Sequence, residues 1–211
     1  MKIRPLYPHV HGWLETKLSK KTMEHLWDCI ETARGERWNK HLVGHIDSSF
    51  KIEDKDDMFW KHVLLPHVNY YGETFNHDHT NMPIPMTDCT PYLDALWVNY
   101  QNKHEFNPFH DHGGLYSFAI WMKIPTYHKE QNELDNAKHL VKDKALNSAF
   151  SFQYLDTLGK FVTYTYEMNP DMEGTMVFFP ASLPHSVNPF YECDEQRISI
   201  AGNISLRIPH E

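Results

Sequence analysis

Two histidines, His110 and His112, stand at i and i+2 in the run Asn107-Pro108-Phe109-His110-Asp111-His112-Gly113-Gly114, directly ahead of an apolar stretch from Leu115 to Ile124. In an extended chain alternate side chains leave the same face, so the two imidazoles can converge on one point while Asp111 turns away. That arrangement suits a metal ion. The diglycine permits unusual backbone angles and close approach of a ligand, and the apolar run offers a rigid strand behind the pair. Further on, a strand-like run ends at Phe179-Pro180, a proline-containing turn follows, and His185 opens the next short strand. Twelve positions later Arg197-Ile198-Ser199 begins a run in which Arg197, Ser199, Ala201 and Asn203 share one face, and Ile198, Ile200 and Ile204 the other. A guanidinium and a hydroxyl pointing the same way can clamp a carboxylate, through a planar bidentate contact and one further donor. The competing reading is a surface arginine paired with an acid such as Glu195.

A second His-x-His, His77-Asp78-His79, is followed by Thr80-Asn81-Met82-Pro83 and not by a strand. Nothing rigid would hold its imidazoles, so these read as solvated loop histidines. With 16 histidines in 211 residues, a lone histidine carries little meaning; only spacing and context count.

The elements that must position these groups follow from periodicity. Leu96, Val98 and Tyr100 alternate with Trp97, Asn99 and Gln101, and further β runs follow at 115–124, 149–155, 161–166, 175–179 and 197–207. Short β runs separated by turn signals predict an all-β sandwich or barrel. Upstream, Met23, Leu26, Trp27 and Ile30 lie at i, i+3, i+4 and i+7, which predicts an amphipathic helix capped by Ser19 or Thr22 and ended near Gly35. A second helix is expected from Asp56 to about Val68, kinked or ended by Pro66. Helices of this kind brace a sheet. The polar insert 126–147, with His128 and His139, reads as an exposed helix or lid. The expectation is one domain over 1–211: a helical and loop-rich part, 1–92, and a β core, 93–208, carrying the insert.

Composition narrows the function classes. A net charge of −8 without a Lys/Arg run argues against a phosphate-tracking nucleic-acid surface. No signal-peptide core and no run of 18 apolar residues occurs, so a soluble, cytoplasmic protein without membrane contact is expected. Cys29, Cys89 and Cys193 lack metal-site spacing and suit free thiols in a reducing compartment. The oligomeric state is left open, with a homodimer as one expectation.

Taken together, His110-x-His112, the distal His185 and Arg197-x-Ser199, all on β runs, resemble the iron(II)- and 2-oxoglutarate-dependent oxygenase superfamily. More closely, Asn107 to Gly114 and the stretch from Met176 to Pro184 are similar to oxygenases found in bacterial and bacteriophage genomes. The resemblance covers roughly residues 93 to 207. It implies a double-stranded β-helix, or jelly-roll, core braced by the N-terminal helices. It also implies an oxidoreductase using Fe(II), 2-oxoglutarate and O2, which couples oxidative decarboxylation of the co-substrate to hydroxylation of a C–H bond. The 5-carboxylate of 2-oxoglutarate would sit on Arg197 and Ser199, with Asn99 and Tyr100 as further co-substrate contacts and Tyr116 and Trp121 as candidates for the pocket wall or for ordinary core. The substrate would be a small molecule or a peptide.

The sequence departs from the superfamily at one point. The usual first motif is His-x-Asp or His-x-Glu, which completes a 2-His-1-carboxylate triad; here His112 occupies the second ligand position. Three assignments compete: a metal held by His110, His112 and His185; a bulged strand that brings in Asp111 as the carboxylate; or an altered site. A cupin-like three-histidine dioxygenase without 2-oxoglutarate would explain His112 but gives Arg197-x-Ser199 no task, and a non-catalytic jelly-roll module explains neither.

Overall fold

In a computed structural model of the chain, which describes residues 4, 11–33, 35–75, 89–137 and 145–207, the runs with clean period-two alternation become strands over nearly their whole length. These are β3 (Thr90–Gln101), β5 (Tyr116–Lys123), β6 (Ala149–Leu155), β7 (Phe161–Glu167), β8 (Thr175–Pro180) and β10 (Arg197–Arg207). Shorter strands complete the fold: β1 (Leu14–Lys17), β2 (Ser48–Lys51), β4 (Asn107–His110) and β9 (His185–Val187). One sheet has the order β1-β8-β5-β10-β3-β2 and the other β4-β9-β6-β7, and adjacent strands in both are antiparallel. The molecule is mainly β, with a jelly-roll core braced by N-terminal helices, as expected. The N-terminal part is less purely helical than its sequence suggests, because β1 and β2 extend the larger sheet at both edges.

Alternation divides the side chains into two layers. On β8, Met176 and Phe178 join a cluster with the helices, while Val177 and Phe179 turn to the other sheet and meet Trp121, Phe150, Phe152 and Tyr166. Phe118 and Phe178 are fully enclosed on the helical side, and truncating such a side chain to alanine costs about 3–5 kcal/mol.

Helix α1 (Lys20–Glu31) covers this outer layer with Leu26, Cys29 and Ile30. Its cap is Ser19, whose hydroxyl accepts the Thr22 N–H. The second helix differs from expectation. A π turn over Trp60–Leu64 leads into α2 (Leu65–Phe75), which runs on past Pro66. Proline removes one backbone donor and its ring crowds the preceding turn. The wider π turn lies where that crowding falls, so the helix continues. The insert, expected as an exposed helix or lid, is anchored at one residue. Its described part holds a single helical turn, α3 (His128–Gln131), whose Gln131 is buried and exchanges hydrogen bonds with the Tyr191 backbone. Thr126 and Ser148 share a buried hydroxyl contact of 2.8 Å. His77, His79 and His139 lie outside the described residues. Among the described residues, no helix is long and apolar enough to cross a membrane.

Candidate metal centre

The smaller sheet sets the first two imidazoles. His110 ends β4 and is the direct antiparallel partner of His185 on β9, so the two rings leave the same face, with centroids 4.3 Å apart. His112 lies beyond the strand, in the loop after β4. Its placement comes from backbone contacts: its N–H donates to Ala181 O, and the Ala181 N–H donates to Leu115 O. Gly114 makes this return possible. Its φ is +103°, and a Cβ there would stand 2.9 Å from Ile204 O. The His112 ring then sits 5.0 Å from each of the other two, and one ligand nitrogen from each of the three lies within 4.8 Å of the others. Asp111 is exposed and is not part of this group.

Tautomers follow from the backbone. His110 Nδ1 lies 2.8 Å from Pro108 O and His185 Nδ1 lies 3.0 Å from Leu183 O. A carbonyl only accepts, so both Nδ1 atoms carry the proton and both Nε2 lone pairs are free to bind a metal. Burial, with the neighbouring His110, holds His112 down to about 4 and His185 down to about 3. His185 is further enclosed by the rings of Phe179 and Phe150. Neutral imidazoles with inward lone pairs suit Fe(II), and a set without a carboxylate leaves the bound ion with its full positive charge.

The same cavity holds Arg197, Ser199, Asn99 and Trp121 in its wall. Arg197 is 2% exposed. Its guanidinium donates to Gln101 Oε1, to Asn188 O, and to both the carbonyl and the hydroxyl of Ser148, and it stacks on Phe190. Glu195, the acid that a surface arginine would have used, pairs with Lys123 at 2.7 Å instead. Among the described residues no carboxylate pairs with Arg197. Burial lowers it to about 10, so it remains a cation at neutral pH. Its Nε, together with Trp97 Nε1, Asn99 Oδ1 and Asn107 Oδ1, is buried without a hydrogen-bond partner, and all four residues line this one cavity. Buried polar atoms are normally paired. Two of the four, Arg197 Nε and Trp97 Nε1, are donors and the two amide oxygens are acceptors, so the space suits a polar occupant, and the arginine charge beside it favours an anionic group. The free space is about 50 Å3.

One co-substrate candidate falls elsewhere, and of the two aromatic candidates for wall or core one takes each place. Tyr100 faces the helical layer, where it packs on Phe50; adjacent strand residues point to opposite faces, so Asn99 and Tyr100 cannot both reach the cavity. Tyr116 is fully buried beside Tyr71 and Phe178 and forms core, whereas Trp121 does line the cavity. Gln101, Trp97 and Ser148 were missed. The first two share the Asn99 face and were open to the same alternation argument; Ser148 gives no sequence signal.

A family model described as "Putative 2OG-Fe(II) oxygenase" matches residues 95–203. Among solved structures, the chain is similar to a prolyl-4-hydroxylase from Pseudomonas putida, at 12% identity and a TM-score of 0.51 over 93% of this chain and 94% of that one. It is also similar to an oxidoreductase of the 2OG-Fe(II) oxygenase family from Burkholderia pseudomallei, at 10% identity and a TM-score of 0.53 over 92% of this chain and 84% of the other. These likenesses concern the fold. No functionally curated protein matches the chain by sequence. The family model spans more than half of the chain and encloses every residue of the cavity's charged and imidazole groups, and on that ground the chain belongs to the 2OG-Fe(II) oxygenases and is an enzyme dependent on Fe(II), 2-oxoglutarate and O2.

Proposed function

We propose that this dioxygenase is a hydroxylase in which His110, His112 and His185 hold the iron, and Arg197 with Ser199 receives the distal carboxylate of 2-oxoglutarate. The observation that carries the reading is the buried Arg197, without a carboxylate partner among the described residues, in the wall of the cavity that the three imidazoles share. Taking a guanidinium out of water is unfavourable unless an anion offsets it. A cupin-like dioxygenase that binds its substrate on the metal leaves this cation idle.

The iron and co-substrate supply oxidative decarboxylation of 2-oxoglutarate to succinate and carbon dioxide, coupled to insertion of oxygen into a C–H bond. The protein supplies position and environment. His110 and His185 are fixed by their Nδ1–H donors to Pro108 O and Leu183 O, so their lone pairs need no reorientation. Trp97 Nε1–H offers a donor and Asn99 Oδ1 an acceptor to polar groups in the cavity. Trp121, Phe150 and Phe179 exclude water from its inner side, which strengthens the charge contacts made there. The substrate is a small molecule or a peptide side chain, and the resemblance in fold to a prolyl-4-hydroxylase supports hydroxylation as the outcome.

The test is succinate formation from 2-oxoglutarate by the purified protein without added substrate. Slow turnover that needs Fe(II) and O2 and is absent in His110→Ala supports the reading. Turnover unchanged in His110→Ala rejects these ligands.

A further inference from the structure

A second set of metal-ligating side chains lies in the helical layer that covers the larger sheet. His25 and Cys29 stand at i and i+4 on α1, one above the other on one side of the helix. Asp54, in the loop after β2, meets them. His25 Nε2 is 2.9 Å from Asp54 Oδ1 and 3.5 Å from Cys29 Sγ, and the three ligand atoms all lie within 4.8 Å of one another. Cys29 is buried, at 3% exposed, and His25 and Asp54 are partly buried, with side chains 14% and 4% exposed.

The contacts to Asp54 and to Cys29 run through the same ring nitrogen, which carries at most one proton. A proton on Nε2 serves the carboxylate and leaves the thiol without a share of it. A cation between the three atoms satisfies nitrogen, sulfur and oxygen together. The ligand atoms are also held from behind. Asp54 Oδ1 and Oδ2 accept the N–H groups of Phe59 and Trp60 at 2.9 and 2.7 Å, and the Lys55 backbone hydrogen-bonds to the Cys29 sulfur. Ligands with such outer partners are positioned before a metal arrives.

We propose that His25, Cys29 and Asp54 form a second divalent-cation site, for zinc or a similar borderline-soft ion, with water in the fourth position. The donor set of one thiolate, one imidazole and one carboxylate is of the type zinc takes in tetrahedral sites. Solvent reaches it through two clefts of about 600 and 440 Å3 that meet at Cys29. Along their walls Asp28, Glu31, Glu53 and Asp56 outnumber Lys51 and Lys55, which favours entry of a cation. Occupancy ties α1 to the turn that enters the π segment, and so fastens together the two helices that brace the sheet. The site shares no residue with the iron centre, and its failure leaves the hydroxylase reading untouched.

Cobalt(II) is the probe, because a thiolate ligand gives it a near-ultraviolet charge-transfer absorption that imidazole and carboxylate ligands do not. In a Cys89→Ser/Cys193→Ser background Cys29 is the sole thiol. Two equivalents of Co(II) are expected per chain, one of them with the thiolate band. His110→Ala should lose one equivalent and keep the band; Cys29→Ser should lose the band and keep the other equivalent. His25→Gln, which retains the thiol and nearly the same volume, repeats the test should Cys29→Ser not fold. No thiolate band at saturating Co(II) in the parent overturns the proposal. So does a band that persists in His25→Gln or vanishes with His110→Ala.

Discussion

Arg197 donates to both oxygens of Ser148, the carbonyl at 3.3 Å and the hydroxyl at shorter range, and Ser148 holds this pose with a left-handed backbone, φ +59°. The pair ties the start of β10 to the start of β6, across the two sheets, and holds Arg197 in the wall of the cavity that the three histidines line, with Nε unpartnered. A non-glycine residue in this region is strained by about 1 kcal/mol or more. The strain persists because Thr126, Pro189 O and Arg197 all bond to Ser148.

Ser148 variants separate strain from contact. Ser148→Ala keeps the strained backbone and loses the hydroxyl, whereas Ser148→Gly loses the hydroxyl and relieves the strain. Urea unfolding should find Ser148→Gly more stable than Ser148→Ala by about 1 kcal/mol, while both weaken 2-oxoglutarate to a similar degree. Equal stability of the two would mean that the backbone is not strained there.

Arg197→Met should weaken 2-oxoglutarate and spare Fe(II). A hydrogen bond to a charged group contributes about 1.5–3 kcal/mol, or one to two decades in affinity. Ser199→Ala should weaken it less, since a neutral donor leaves a clamp still held by charge. Titration of 2-oxoglutarate into iron-loaded, oxygen-free protein measures both, with circular dichroism to check folding.

His112 and Asp111 are neighbours with opposite predictions. His112→Ala should lower metal affinity by more than about 100-fold, as loss of a direct ligand exceeds the 10–100-fold effects of outer partners. Asp111→Asn should be nearly silent, because the carboxylate is exposed and apart from the cluster. His112→Asp should retain iron by supplying the commoner carboxylate triad. Equilibrium dialysis with Fe(II) ranks the three variants, and the reverse order would make Asp111 the ligand.

Metal-free protein should lose stability in mild acid. His112 and His185 are held at about 4 and about 3, against an ordinary 6.5, so between these values the unfolded chain binds more protons than the folded one. Stability is then fully present above pH 6.5 and falls as pH drops toward 4, by up to about 1.4 kcal/mol per group per pH unit. Urea midpoints at pH 7 and pH 5 measure the loss, and His185→Gln should flatten the slope. An unchanged slope would show that His185 is not held neutral by the fold.

Much of this was readable from the sequence because period-two alternation is long and clean after residue 93. The faces of β3 and β10 follow from it directly, including the shared side of Arg197 and Ser199. What escaped has physical reasons. β1 and β2 are four residues each, too short for a period to stand out, and are made strands by the sheet edges they join. The helix passes Pro66 because a π turn precedes it, a tertiary accommodation without a local signature. His112 was expected on an extended strand and reaches the same point from a loop, held by Ala181 O. Tyr100 was misplaced although the alternation that seats Asn99 excludes it, and Ser148 becomes visible only when the sheets close around Arg197.

The most direct test of the central claim is to load metal-free protein with Fe(II) in the absence of oxygen and titrate 2-oxoglutarate, following the weak visible charge-transfer band of the chelate. A saturable band at one equivalent per chain is expected, absent in His110→Ala, present in the His77→Ala/His79→Ala double variant, and shifted to higher 2-oxoglutarate concentration in Arg197→Met. No band in the iron-loaded wild type, or a band that survives His110→Ala, would contradict it.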